Sequence, residues 1–298
     1  MPTYEQGLHG AFLRSDLEQR LGRPALRKAV ASGQLQPLWR GVLVERDRIL
    51  DPRTRAAAAL LTAGDEAVLT GRTAAMLHGC RAVSTVQTHI LLPYWRKVRG
   101  RSGLVVHHGG FFASDVVERD GLRMLSINRV TADLLCGERS QDALALADEV
   151  LKLAGESCEV TRKEIAGHIR RRRDNRGTVR GEALLDLASP RAESTAESWV
   201  RMLLLEWGFP LPEVNHPILG VDGGEVYRLD LAWPQLRIAV EYDGYSAHAG
   251  REVQDDARYE DLRRRGWLVV RTSSPDLTDF GRAAAALRAA FERRGYTW

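Results

Sequence analysis

The stretch RLDLAWPQLRIAVEYDG, residues 228–244, decides the fold of the C-terminal third of the chain. It lies across GEVYRLDLAWP and RIAVEYDG, which read as two strands rich in β-branched, aromatic and leucine residues. Pro234-Gln235-Leu236 is a short connection, the kind that joins neighbouring antiparallel strands. Side chains alternate along a strand, so Leu229 and Leu231 are expected on one face and Asp230 on the other. On the second strand Ala239, Glu241 and Asp243 share a face, with Val240 and Tyr242 opposite. An aspartate among apolar strand residues, beside a Glu-x-Asp pair, is costly unless something positive joins them. Crowded carboxylates repel, and burial disfavours their charged forms. A divalent cation removes both costs, and oxygen ligands of this kind suit Mg2+ or Mn2+. Asp230, Glu241 and Asp243 are therefore the expected metal ligands. The alternative is that these acids lie at strand ends in water, or pair with Arg228, Arg237 or Arg271.

Outward from the hairpin the pattern continues. Ser194 followed by Glu197 forms a capping box that opens an amphipathic helix, with Val200, Leu203 and Leu204 facing inward. Gly208 ends that helix and Pro210 prevents its resumption. Beyond the hairpin, DDARYEDLRRRGWLVVR fits a helix from about Glu252 to Arg265, a stop at Gly266 and a strand from Trp267 to Arg271.

With ESTAE, RLDLAWP, VEYDGYSAH and DDARYEDLRRRGWLVVR in view, the segment Ser189–Pro275 resembles the nuclease-like domains related to very-short-patch-repair endonucleases, within the PD-(D/E)XK superfamily. The resemblance implies an α/β/α core with a mixed sheet. It implies metal ligation by Asp230 and Glu241, with Glu197 supporting the metal or its water. The superfamily pattern wants lysine two residues after the second acid, and this chain has Asp243. Very-short-patch nucleases also lack that lysine and rely on histidine. His248 is thus the expected general acid or base, and Asp243 a further ligand or the group that orients it. The catalytic set is Glu197, Asp230, Glu241, Asp243 and His248. Arg258, with Arg263 or Arg264, is placed to bind phosphate oxygens. Asp255, Asp256 and Asp261 on the same helix could instead tie those arginines up in surface pairs.

The first fifty residues read as helix, turn, helix and hairpin. Ser15 with Glu18 suggests a capping box, Leu17 and Leu21 an apolar side, and Pro24 the start of a second helix carrying Leu26 and Val30. Leu35, Leu38, Val42 and Val44 flank a turn at Arg40-Gly41. That is the plan of a winged helix. Arg23, Arg27 and Lys28 would face a major groove, while Trp39 and Arg40 on the wing touch phosphates. The same module could serve for packing or for protein contact. RSDLEQRLGRPALRKAVASGQLQPLWRGVLV, continuing through AAALLTAGDEAVLTGRTAAMLHG, resembles the N-terminal winged helix of AbiEi-type antitoxins of bacterial abortive-infection systems.

Between these ends the chain mixes helices (55–63, 71–78, 140–153) with strands (88–93, 104–107). His78, His89, His107 and His108 lack the spacing of a metal site. The basic run from Arg162 to Arg180, with Arg170, Arg171, Arg172 and Arg173 at its centre, could follow a phosphate backbone or be a solvated helix face. The expected organisation is a winged helix at 1–50, a mixed α/β region at 51–155, a basic helical linker at 156–188 and the nuclease-like domain at 189–298. The fold class is α/β, α+β overall.

A net charge of +4 suits a polyanion without requiring one, and 44% hydrophobic residues suffice for real cores. Cys80, Cys136 and Cys158 are far apart and odd in number, which argues against a disulfide framework. The opening run lacks an apolar signal core, and no stretch nears the roughly 18 apolar residues of a membrane span. A cytoplasmic protein with no membrane and no small-molecule cofactor is expected. The expected partner is DNA, single-stranded and damaged forms included. The expected function, following the resemblance, is that of a metal-dependent endonuclease in repair or defence. The alternative is a DNA-binding transcriptional regulator or antitoxin with an inactive nuclease-like domain.

Overall fold

The computed structural model describes residues 7–244 and 252–296, side chains of 252–256 excepted. The chain divides into two compact units. One comprises Met1–Leu134 with Gly167–Arg172, the other Leu135–Ala166 with Arg173–Trp298.

The first unit opens with β1 (Ala11–Leu13), α1 (Arg14–Leu21), α2 (Arg23–Ala31), β2 (Leu35–Trp39) and β3 (Val42–Glu45). Their sheet has the order β1-β3-β2, antiparallel throughout, and closes over Phe12, Leu17, Leu26, Ala29, Leu35 and Leu43. This is the winged-helix plan. Pro24 sits in the first turn of α2, where no N–H is missed. Gly41 makes the wing turn at φ +81°, a left-handed value that a Cβ would disfavour. Two expectations are corrected here. Ser15 does not cap α1, because the helix already begins at Arg14 and the Ser15 hydroxyl donates to Asp16 instead. Trp39 is not a solvent-facing wing residue: it is buried, donates its indole N–H to Ser102 O and lies under the Arg55 guanidinium.

The rest of this unit is built from α3 (Pro52–Ala63), β4 (Val68–Leu69), α4 (Gly71–Leu77), β5 (Thr88–Leu92), β6 (Leu104–His108), β7 (Val116–Arg119) and β8 (Leu122–Leu125), followed by α5 (Ile127–Gly137). The strands form a mixed sheet of order β6-β5-β4-β8-β7. The β7–β8 hairpin and β4 escape a reading by periodicity because each strand is only two to four residues long.

The second unit carries α6 (Ser140–Ala154), α7 (Cys158–Arg170, which runs back into the first unit), α8 (Thr178–Leu187), α9 (Thr195–Glu206), β9 (Glu213–Leu219), β10 (Glu225–Trp233), β11 (Ile238–Tyr242), α10 (Glu252–Arg264), β12 (Leu268–Thr272) and α11 (Gly281–Arg293). The sheet order is β12-β11-β10-β9, antiparallel except for the parallel β11–β12 pair. One face packs on α9 and α11 through Val200, Leu204, Leu231, Val240, Leu287 and Phe291. The other packs on α10 through Leu229, Ala232, Ala239, Leu262 and Trp267. Helices on both faces of a mixed sheet make this an α/β/α sandwich. β9 was not expected; Pro217 within it and the polar Asn215-His216 pair hide its periodicity.

Candidate active site

Three strands bring the acids together. The β10–β11 register pairs Leu231 with Val240, and continued one step it sets Asp230 opposite Glu241. The β11–β12 register pairs Glu241 with Arg271. Asp230, Glu241 and Arg271 thus form a row across the sheet. Directly opposed residues hold their Cβ atoms about 5 Å apart, close enough for their charges to interact.

The expected face alternation fails next to Asp230. Leu229 belongs to the cluster under α10, whereas Leu231 belongs to the cluster under α9 and α11. The break coincides with Asn215 on β9, which has φ +52° and interrupts the ladder between Leu229↔His216 and Leu231↔Val214.

Asn215 also reaches the fourth acid. Its Nδ2 donates to Glu197 Oε2 at 3.2 Å and to the Arg191 carbonyl. Glu197 sits in the first turn of α9, where Ser194 caps the helix by accepting the Glu197 N–H at 3.1 Å, as the sequence predicts. The Glu197 carboxylate accepts the Glu193 N–H at 2.9 Å. A buried ion pair fixes α9 on α6: Arg201 donates to Asp148 at 2.6 Å, with the two side chains 1% and 2% exposed. Asp148 further accepts from Ser198 Oγ at 2.6 Å and from the Ser189 N–H at 2.7 Å.

Each acid has a distinct environment. Asp230 accepts the Tyr242 N–H at 2.9 Å and has no ion pair among the described residues. Burial pushes its pKa up to about 7; the Tyr242 N–H opposes this, while Glu197 and Glu241 add to the rise and Arg258 counters it. Glu241 is 3% exposed. It accepts from Arg258 Nη2 at 2.5 Å and from Tyr259 Oη at 2.7 Å. Burial nonetheless raises its pKa, against the lowering effect of those two donors. Burial also raises the Tyr259 phenol, and the Glu241 charge adds to it, so Tyr259 is a fixed donor. Asp243 is held by Arg271 Nε at 2.5 Å, and Arg271 lies over the Tyr259 ring.

The structure brings Glu197 and Glu241 within electrostatic range of Asp230, and Asp243 within range of Glu241 while Asp243 also pairs with Arg271. His248 lies outside the described residues. Among the described residues no three acids, histidines or cysteines form a ready-made ligand cluster. The residues are of the kind a hard divalent cation takes: Asp230 is a half-buried carboxylate that feels the charges of Glu197 and Glu241 and has no ion-pair partner among the described residues. Sequence reasoning missed Tyr259 and Asn215. No motif marks them, although Tyr259 directly follows Arg258.

The nucleic-acid candidates are placed as follows. Arg27, Lys28 and Arg40 are exposed, and exposed Arg23 pairs with Glu18 at 2.6 Å. In the basic run Arg170, Arg171 and Arg173 are exposed, whereas Arg172 is spent on Asp133. Arg162 and Arg180 donate to backbone carbonyls, and Arg176 pairs with Asp174. Arg258 is committed to Glu241 and to the Arg228 carbonyl rather than to Asp261, which holds Arg264 and Arg265. No helix among the described residues is long and apolar enough to cross a membrane.

No family model matches the chain. It is similar to the crystal structure of RV2827C protein from Mycobacterium tuberculosis, at 18% identity over 59% of this chain and 75% of that one, with a TM-score of 0.38, too low to carry an argument. It is 34% identical over 275 residues to the uncharacterized proteins MT2308 and Rv2248 of Mycobacterium tuberculosis, covering 91% of this chain and 97% of each relative. At that identity and coverage, the chain belongs to the family that includes these two mycobacterial proteins.

Proposed function

We propose that the protein is a metal-dependent DNA endonuclease of the cytoplasm, using Mg2+ or Mn2+, in DNA repair or defence. The observation that carries the reading is the arrangement of Asp230 opposite Glu241 on adjoining strands with Glu197 close by, where burial lifts Asp230 to about 7. Asp230 and Glu241 are the residues that would hold the cation. When bound, it would polarise the scissile phosphate and acidify a water. Glu197, fixed through α9, supplies a further carboxylate beside them. Arg258 places a guanidinium at the same carboxylate, where it can meet a phosphate oxygen once Glu241 turns to other partners. Asp243 and His248 complete the proposed catalytic set, His248 moving the proton to or from water. Arg23, Arg27, Lys28 and Arg40 of the winged helix, with the exposed Arg170, Arg171 and Arg173, supply affinity for DNA.

One observation favours a second reading. The Glu241–Arg258 and Asp243–Arg271 pairs neutralise two acids without any metal. That is what a DNA-binding regulator or antitoxin with a silent nuclease-like domain would retain. Incubating the full chain with supercoiled plasmid and labelled single strands, in EDTA, Mg2+ or Mn2+, separates the two. Cutting that needs metal and is lost in both Asp230→Ala and Glu241→Ala supports the endonuclease. Sequence-selective binding with no cutting in either metal supports the regulator.

A further inference from the structure

The loop between β5 and β6 carries the sequence PYWRKVRGRSG, residues 93–103, and the proposed catalytic site makes no use of it. Tyr94 and Trp95 are 67% and 72% exposed, unusual for large aromatics standing side by side. Packing does not explain this exposure, because the loop is anchored by other residues. Arg96 holds Glu66 at 3.3 Å and the Ala63 carbonyl at 3.1 Å. Pro93 is buried, and Ser102 O accepts the Trp39 indole N–H. Trp95 touches the body of the unit through its indole N–H, which donates to Glu66 at 3.1 Å, while the residue stays largely exposed.

Lys97, Arg99 and Arg101 follow on the same loop, all exposed and with no ion pair among the described residues. At its far end the loop meets the wing. There Arg101, Arg14 and Arg40 line a cleft of about 420 Å³ with Pro37, Leu38 and Trp39, and no acid lines it. Three cations around an acid-free cleft repel one another unless an anion joins them.

We propose that this loop and the wing cleft bind a single nucleic-acid strand. Tyr94 and Trp95 supply the stacking platform for unpaired bases. Lys97, Arg99 and the arginines of the cleft hold successive phosphates. Aromatics interleaved with unpaired cations are what a single strand requires, because its bases are free to stack and its backbone remains charged. A duplex hides its base faces and would use the cations alone. The inference rests on nucleic acid being the partner but not on cleavage.

The test is fluorescence anisotropy with the full chain in EDTA, comparing a fluorescein-labelled 20-nucleotide oligo-dT strand with a duplex of equal length. Tyr94→Ala and Trp95→Ala are each expected to weaken single-strand binding about tenfold and to leave duplex binding unchanged. The triple variant Lys97→Ala, Arg99→Ala, Arg101→Ala is expected to weaken both and to lower the single-strand salt slope by about 0.7 per lost phosphate contact. Wild-type single-strand affinity in the Tyr94→Ala, Trp95→Ala double variant overturns the proposal. Normal duplex binding with no single-strand binding overturns it while leaving the DNA reading standing. Failure to bind either probe removes both.

Discussion

Asp230 accepts the backbone N–H of Tyr242 at 2.9 Å, so this aspartate is tied to the strand that carries Glu241. The bond lowers its pKa, yet burial overrides it and the group rests at about 7. The direction fixes a pH dependence. A carboxyl raised from 3.8 to about 7 in the folded state binds a proton that the unfolded chain releases. Its stabilising contribution is complete below about 3.8 and is lost as pH rises through about 7. Thermal unfolding across that window should show stability falling with pH in the wild type, and a flatter profile in Asp230→Asn. If metal binds here, its affinity should rise over the same window, because the ligand must be deprotonated.

Asn215 joins a left-handed backbone to the Glu197 contact. Asn215→Ala removes the amide that bonds Glu197 and the Arg191 carbonyl, and replaces a residue that tolerates the left-handed backbone with one that does so poorly. The expected loss is about 2–4 kcal/mol in urea denaturation. Asn215→Gly loses the amide but relieves the backbone and should be about 1 kcal/mol less damaging. Equal losses in the two variants would contradict the backbone part of the account.

The Asp148–Arg201 pair predicts a larger effect. Asp148→Ala leaves a guanidinium buried without its counter-charge and should cost about 3–5 kcal/mol, read by chemical denaturation. Adding Arg201→Met removes the stranded charge and should recover part of the loss. Full recovery is not expected, because the Ser189 N–H stays without its acceptor and the Ser198 hydroxyl keeps only its longer bond to the Ser194 carbonyl.

Tyr259→Phe deletes one hydroxyl, the donor to Glu241 at 2.7 Å. Bonds to charged groups are stronger than neutral ones, and a loss of about 1–2 kcal/mol at pH 8 is expected. The Glu241 carboxyl, already raised by burial, should rise further without this donor. Carboxyl-labelled NMR titration of the variant reads that change.

Much of the site could be read in residue order. Ser194 and Glu197 announced the cap of α9, and the short Pro234–Leu236 link announced the hairpin, since both rest on contacts between near neighbours. The β9 strand could not be read in this way, because Asn215 and Pro217 break the period that would reveal it. Trp39 and Ser15 misled for a related reason. What covers a wing tryptophan is a loop 63 residues further on, and where α1 begins depends on how β1 pairs with β3.

Local order thus determined the site acids, the cap of α9 and the β10–β11 hairpin, because capping and turn length act over a few residues. Only the folded chain decided how those acids are partnered. Arg258 on α10 meets Glu241 on β11, Arg271 on β12 meets Asp243, and Asp230 receives a backbone N–H instead of a cation. Those choices depend on distances between segments far apart in the chain and on how deeply each carboxylate is removed from water. Neither quantity is set by neighbours in sequence.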